Sequence, residues 1–140
     1  MLVRIQTTQT LVKERTEIFN FIRANPTYNW KELATRCFEH DSTLSDAERD
    51  RYNQLLVVLN FYENIAVAVI SRAAHEQVIR FSLQSQFRDL RRAVGPMLSH
   101  VRELYDTPTY HEHFEHLAQM WYPNKASWWM RVWWWMEFRL

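Results

Sequence analysis

The stretch from Ser45 to Arg72 constrains the fold more than any other part of the chain. It opens with Ser45 followed three residues later by Glu48, a capping box in which a hydroxyl and a carboxylate each satisfy a free backbone N–H. Between Leu55 and Ile70, apolar side chains surround nearly the whole helical circumference. A helix of this kind must be covered by other elements, so the sequence predicts a long central helix surrounded by further helices.

Helix-start and helix-stop signals also divide the rest of the chain. Asn29 followed by Glu32 repeats the N-cap pattern, and Thr107-Pro108 combines an N-cap with proline at the first helical position. In chain order, the predicted helices cover residues 8–24, a short stretch after Asn29, residues 46–72, residues 75–94 with a continuation to Tyr105 after a break or kink at Gly95-Pro96, residues 107–121, and a last helix capped by Ser127. In the fourth helix, the side chains expected to face the core are those of Val78, Ile79, Leu83, Phe87 and Leu90.

Composition agrees with this pattern and excludes several classes of protein. One glycine in 140 residues argues against a turn-dense β fold, and the single cysteine, Cys37, excludes a disulfide scaffold. Because 17 basic residues face 16 acidic ones, no charge excess favours nucleic-acid binding. The N-terminus lacks the apolar stretch of a signal peptide, and we expect a cytoplasmic protein. The predicted fold is all-α, an irregular bundle of five to seven helices over residues 1–122, followed by a Trp-rich segment over residues 123–140.

Three polar residues share one face of the otherwise apolar central helix. Asn60, Glu63 and Asn64 stand at positions i, i+3 and i+4. Because a buried carboxylate is costly unless it is paired, Glu63 predicts a basic partner on a packing helix, with Arg102 the first choice and Arg72 the second. We interpret this polar set as a structural ion pair that fixes helix register. The alternative is a carboxylate held for general acid–base chemistry.

The same stretch resembles a known family. The Leu-Asn-Phe-Tyr-Glu-x-Ile-Ala run at Leu59–Ala66, the Pro-x-Leu-x-x-x-Arg run at Pro96–Arg102 and the aromatic residue Trp121 are similar to a bacterial and phage family, the domain of unknown function family numbered 4760. The resemblance covers about residues 50–122. It implies an all-helical domain and supplies no activity or catalytic residue, while the phage setting that it implies would suit a small inhibitor or adaptor that binds a host protein.

The histidines within residues 111–116 invite a metal-site interpretation. A helical zinc-protease motif needs two histidines four residues apart, whereas His111 and His116 are five apart. The pairs Glu112 with His116, or His113 with His116, still offer two ligands, and a third would have to come from His75 or His100. We predict no metal and no cofactor, and we interpret the cluster as an exposed polar helix face.

The segment from Trp128 to Leu140 is the least ordinary part of the sequence, because it holds five of the seven tryptophans. A helix that is apolar on all sides must be covered on all sides, and this segment is too short to span a bilayer. Three interpretations stay open: it packs on its own domain or a second copy, it enters a groove of a partner protein, or it lies in a membrane interface. The side chains expected to make the contact are Trp128, Trp129, Val132, Trp133, Trp134, Trp135, Met136 and Phe138.

The expected function is that of a non-catalytic protein–protein interaction module, with the Trp-rich segment in the contact with a partner protein or in a homodimer interface. No nucleic acid is expected as a partner. The alternative is a peripheral membrane protein anchored by the same segment. A third hypothesis is a small helical enzyme with a site built on Glu63 and either His75 or His100.

Overall fold

The computed structural model of the protein describes residues 2–122, with side chains from residue 11 onward. Within that range the chain forms five α-helices and no strand: α1 (Leu2–Ala24), α2 (Trp30–Phe38), α3 (Asp46–Ile70), α4 (Glu76–Leu104) and α5 (Glu112–Trp121). The all-α fold predicted from apolar spacing is therefore confirmed. The helix predicted after Ser127 lies outside the described residues, and the separation of residues 1–122 from 123–140 stays a prediction.

Two helix starts follow directly from the local sequence. At α2, the Asn29 side chain accepts a hydrogen bond from the backbone N–H of Glu32 at 3.0 Å. At α3, Ser45 Oγ accepts from the Glu48 N–H at 3.2 Å, and Glu48 Oε1 accepts in return from the Ser45 N–H at 3.1 Å. Both predicted caps are confirmed, because each needs only residues that lie three positions apart.

The core lies where α3, α4 and α5 meet. Tyr62 of α3, Phe87 of α4 and Phe114 of α5 are fully buried. The ring centres of Tyr62 and Phe87 lie 5.1 Å apart, and those of Phe87 and Phe114 lie 5.4 Å apart. Around this aromatic centre, α1 packs on α3, α2 packs on α4, and α5 contacts both long helices. Each fully buried ring of this kind stabilises the fold by about 1.5–3 kcal/mol.

The central helix α3 is less completely covered than its sequence predicts. Seven of its side chains are buried, yet Val57, Val67 and Ile70 remain 45%, 41% and 41% exposed. The helix ends at Ile70 rather than Arg72, because Ser71 caps it and Arg72 adopts a left-handed φ of 62°. Among the described helices, α3 is long and apolar enough to cross a membrane, a measure that the core helix of a water-soluble protein also meets.

The fourth helix continues through the Gly95-Pro96 pair. The sequence predicts a break or kink there, but α4 is one helix of 29 residues with Pro96 inside it. Proline lacks the N–H that would bond the carbonyl four residues earlier, so this turn has one hydrogen bond fewer. Proline also restricts the residue before it, because the Cβ of an ordinary residue clashes with the proline ring in the α region. Gly95 has no Cβ and so avoids this clash.

The fifth helix starts later than predicted. Thr107-Pro108 opens turns rather than a helix, with hydrogen bonds from the Tyr110 N–H to the Thr107 carbonyl and from the Glu112 N–H to the Thr109 carbonyl. His111 then adopts a left-handed φ of 50°, and α5 begins at Glu112. The prediction of a helix from Thr107 is wrong, because side chains of α3 and α4 fix this corner from outside the segment.

Candidate functional site

A cluster of ionisable side chains surrounds the start of α5. We call it the α5 junction and define it as Glu63 of α3, Arg102 of α4, His111 in the turn, and His113 and Glu115 of α5. Three helices and the turn before α5 supply these residues, so the cluster exists only in the folded chain.

Glu63 caps α5 from a different helix. Its Oε2 accepts a hydrogen bond from the Phe114 N–H at 2.8 Å, and its Oε1 accepts from the His113 N–H at 3.3 Å. The same Oε1 lies 2.7 Å from Nδ1 of His113. The first N–H groups of a helix have no partner within it and carry its positive dipole end. Glu63 therefore satisfies the end of α5, which no side chain at its own N-cap position does.

The predicted ion pair between Glu63 and Arg102 is wrong. Nη1 of Arg102 lies 2.6 Å from Oε2 of Glu115, and its Nε donates to the Tyr110 carbonyl at 2.9 Å. The reason is the late start of α5, which brings backbone donors to Glu63 and a carboxylate to Arg102. The sequence did identify two charged residues of one cluster, but it assigned them to each other.

The remaining members of the predicted polar set lie apart from the junction. Asn60 and Asn64 are exposed, so Glu63 alone of the triplet turns toward α5. Arg72, the second predicted partner, is exposed beyond the end of α3. The triplet is therefore a boundary between buried and exposed surface rather than a buried polar network.

His111 is a buried ring within the junction. Its side chain is 4% exposed, and its Nδ1 lies 4.0 Å from Oε2 of Glu63. Neither ring nitrogen has a hydrogen-bond partner among the described residues. Burial is the main cause that lowers the pKa of His111; nearby Arg102 lowers it further, and Glu63 opposes both. The buried His111 ring therefore lies beside the Glu63 carboxylate without a hydrogen bond to it, and the charge of Arg102 acts on its pKa.

The candidate metal ligands are not brought together in the described part of the chain. No three His, Cys, Asp or Glu side chains there are placed to hold a metal ion. The histidines considered as ligands lie in different parts of the fold. His100 Nε2 lies 2.8 Å from Thr35 Oγ1 of α2, and His75 is the N-cap residue of α4. His116 borders an open groove beside Ile70 and Met120. Both oxygens of Glu63 are engaged by α5, which makes this carboxylate part of a helix end rather than a free base.

A second feature is the outer face of α4 near its start. Among residues 76–86 none is buried, whereas six are buried from Phe87 to Val101. Phe81 is 93% exposed and Val78 is 61% exposed. Val78 was expected to face the core; that prediction is wrong, because Ile79 and Leu83 provide the core-facing side of this half of the helix. We call the face formed by Val78, Phe81, Ser85 and Arg88 the outer stripe of α4.

The described chain ends beside the outer stripe. Trp121 Nε1 donates to Glu76 Oε1 at 3.2 Å, and the Trp121 ring centre lies 5.0 Å from that of Phe87. The next ring, Tyr122, has its centre 5.3 Å from the guanidinium carbon of Arg88. The residues predicted to make an interaction lie outside the described range: Trp128, Trp129, Val132, Trp133, Trp134, Trp135, Met136 and Phe138.

Neither the outer stripe nor the cap from Glu63 is predicted above from the sequence. The stripe has a signal in the sequence, since Phe81 falls well over 90° away from Phe87 and Leu90 on a helical wheel. The cap has none, because Glu63 and Phe114 are 51 residues apart and meet only through packing.

Comparison with known families identifies one match. A family model described as "Domain of unknown function (DUF4760)" matches residues 2–121, which include all five helices. The match confirms the resemblance and extends it to α1. No curated protein and no solved structure matches the chain.

Proposed function

We propose that this chain, which belongs to the DUF4760 family of domains of unknown function, is a non-catalytic helical module that binds another protein. The contact is made by the Trp-rich residues after α5, at the end of the domain where the outer stripe of α4 lies. The partner is a different protein or a second copy of this chain.

The observation that carries this proposal is the exposure of Phe81 beside the point where α5 ends. A single exposed apolar residue is ordinary on a protein surface. Here, however, a ring that is 93% exposed stands near Val78, which is 61% exposed, on the part of α4 that Tyr122 reaches. The sequence that follows is rich in Trp, Met and Arg, the residue types enriched at interface hot spots. Apolar surface that needs cover is thus concentrated at one end of the domain.

The α5 junction supports the same proposal from the structural side. Glu63 holds the start of α5 to α3, and Arg102 holds Glu115 to α4. These contacts fix the direction of α5, and therefore the place where the chain continues. Because Glu63 is held by the start of α5 and Arg102 contacts Glu115, we interpret the junction as positioning α5 rather than as catalysing a reaction.

The setting belongs to the proposal as well. In a phage or mobile-element setting, such a module would act as a small inhibitor or adaptor that binds a host protein. This part of the proposal rests on the family resemblance alone. The alternative of a peripheral membrane protein uses the same Trp-rich residues, and one experiment separates the two.

The test compares the full chain with a chain lacking residues 127–140 and with Phe81→Ser. Val57→Ser is the matched control, since Val57 is 45% exposed on α3. We expect light scattering to show self-association of the full chain, or affinity capture to recover a stoichiometric protein partner. Both variants should weaken that binding at least tenfold, and the control should not.

Two results would contradict the proposal. The first is binding that survives both changes or that Val57→Ser reduces equally. The second is a monomer without protein partners whose co-sedimentation with anionic liposomes disappears on removal of residues 127–140, which would favour the membrane alternative.

A further inference from the structure

The end of α5 directs the chain onto the outer stripe of α4. Trp121 lies against the side of α4 that carries Glu76 and Phe87, whereas Tyr122 lies beside Arg88. Arg88 follows Phe81 by seven residues, which is close to two helical turns, so the two side chains share one side of α4. Within one residue, the chain passes from the inner side of α4 to the side that exposes Phe81.

The remaining chain is long enough to cover this stripe. Eighteen residues follow Tyr122. Phe81 lies about 10 Å along the helix axis from Arg88, and the four residues 123–126 can span about 13 Å when extended. A helix over residues 127–140, which Ser127 as an N-cap predicts, would be about 21 Å long, while the stripe from Val78 to Arg88 is about 15 Å long.

The chemistry of the two surfaces is complementary. The stripe offers an exposed phenyl ring with the small, exposed residues Ser82 and Ser85 beside it, so a large ring can approach the helix backbone closely. Residues 128–140 offer five indole rings and only three charged side chains. Exposing apolar surface to water raises the free energy of the chain. A helix that is apolar on every side is therefore stabilised by cover on each of its sides.

The short connection favours the chain's own segment over that of a second copy. Joining two surfaces by a short flexible linker gives an effective concentration in the millimolar range. A second copy at micromolar concentration would have to bind about a thousandfold more tightly to occupy the same stripe.

We propose that residues 123–140 fold back over the outer stripe of α4 in the same molecule and cover Phe81. One face of the Trp-rich segment then lies against α4, and its other face forms the surface offered to a partner. This inference deepens the proposed function by assigning the outer stripe to the chain's own segment, and its tests need no partner.

Cysteine pairing tests the contact directly. In a Cys37→Ser background, Ser85→Cys keeps Phe81 intact, and single cysteines replace residues 129–136 in turn. A disulfide needs Cα atoms within about 7 Å. Under mild oxidation, we expect Ser85→Cys to form a disulfide with at least one of these positions, found by mass spectrometry within a monomer.

The matched control is Ser99→Cys. Ser99 is exposed on the same helix, 14 residues after Ser85 and therefore about 21 Å away on a similar side. We expect no disulfide from this position. A disulfide between two chains, pairing only from Ser99→Cys, or no pairing from Ser85→Cys would overturn the proposal.

Tryptophan fluorescence provides a second measurement that needs no cross-link. Phe81→Asp should shift the emission of the full chain to longer wavelength, because the segment holding five of seven tryptophans is released into water. Val57→Asp, matched in charge and on an exposed site of α3, should leave emission unchanged. Equal emission from Phe81→Asp and the unsubstituted chain, with circular dichroism showing both folded, would also overturn it. Failure of either test leaves binding to a partner measurable in its own right.

Discussion

Glu63 is the residue on which the start of α5 most depends. Its two carboxylate oxygens accept from two backbone N–H groups of α5 and contact the His113 ring. The carboxylate is 18% exposed, so its interactions are only partly screened by water. A cap that comes from another helix does two things at once: it satisfies a helix end and it joins two helices.

Replacing Glu63 by Gln should therefore lower the free energy of unfolding by about 1–2 kcal/mol. The amide keeps one acceptor oxygen but loses the negative charge that favours a helix N-terminus. Urea denaturation monitored by circular dichroism measures the change.

Glu112→Gln is the control for this substitution. Glu112 is an exposed carboxylate in the first turn of the same helix, and its loss should change stability by no more than about 0.5 kcal/mol. Equal losses for the two variants would show that Glu63 contributes only charge near the helix end, without its hydrogen bonds.

Among the helices, α4 contains a residue that destabilises it locally, because Pro96 lies in its interior. Pro96 stands inside the helix and is exposed, so no packing requirement opposes its replacement. A β-carbon added at Gly95 would meet no atom within 4 Å beyond its chain neighbours. The neighbour that matters is Pro96, whose ring restricts the residue before it.

Pro96→Ala should raise the free energy of unfolding by about 1–3 kcal/mol, because it restores an N–H to the helix and removes the ring's clash with the preceding turn. Gly95→Ala should gain about 0.5–1 kcal/mol only in the Pro96→Ala background. A double-mutant cycle by thermal or urea unfolding measures both effects. Additive gains would contradict a steric conflict between the two positions.

At the scale of the whole molecule, the α5 junction connects α3, α4 and α5, so its protonation acts on global stability. His111 is buried, its Nδ1 lies 4.0 Å from Oε2 of Glu63 of α3, and its ring centre lies 4.1 Å from that of Tyr110, while the charge of Arg102 of α4 acts on its pKa. Burial lowers the pKa of His111 from its ordinary value of 6.5. Between the lowered pKa of folded His111 and pH 6.5, the unfolded chain then binds a proton that the folded chain does not.

Stability should consequently fall as the pH is lowered from 7.5 to 5.5, with a contribution from His111 that levels off below its folded pKa. His111→Phe should show a shallower dependence, whatever its absolute stability, because the other histidines are retained. Urea unfolding at three pH values measures the two slopes. Identical slopes would mean that protonation of His111 does not differ between the folded and unfolded chains.

The parts of the fold that could be predicted are those encoded within a few residues. The Asn29 and Ser45 caps, the long α3 and the absence of strands from the described range all follow from local spacing and propensity. The start of α5 could not be predicted in this way, because Thr107-Pro108 is a strong local signal that contacts from other helices override. The Glu63–Arg102 pairing failed for the same reason, since each charge found a nearer partner once α5 was shifted.

Local spacing of residues is enough to specify that this chain is helical, where α2 and α3 begin, and that α3 must be packed against other helices. These properties depend on hydrogen bonds and periodicity over three or four positions. Packing between helices, by contrast, brings Glu63 to the start of α5, places the His111 ring beside Glu63, and leaves Phe81 facing outward beside the end of α5. Such contacts join residues that are tens of positions apart, and their energies depend on which helices meet rather than on any one helix.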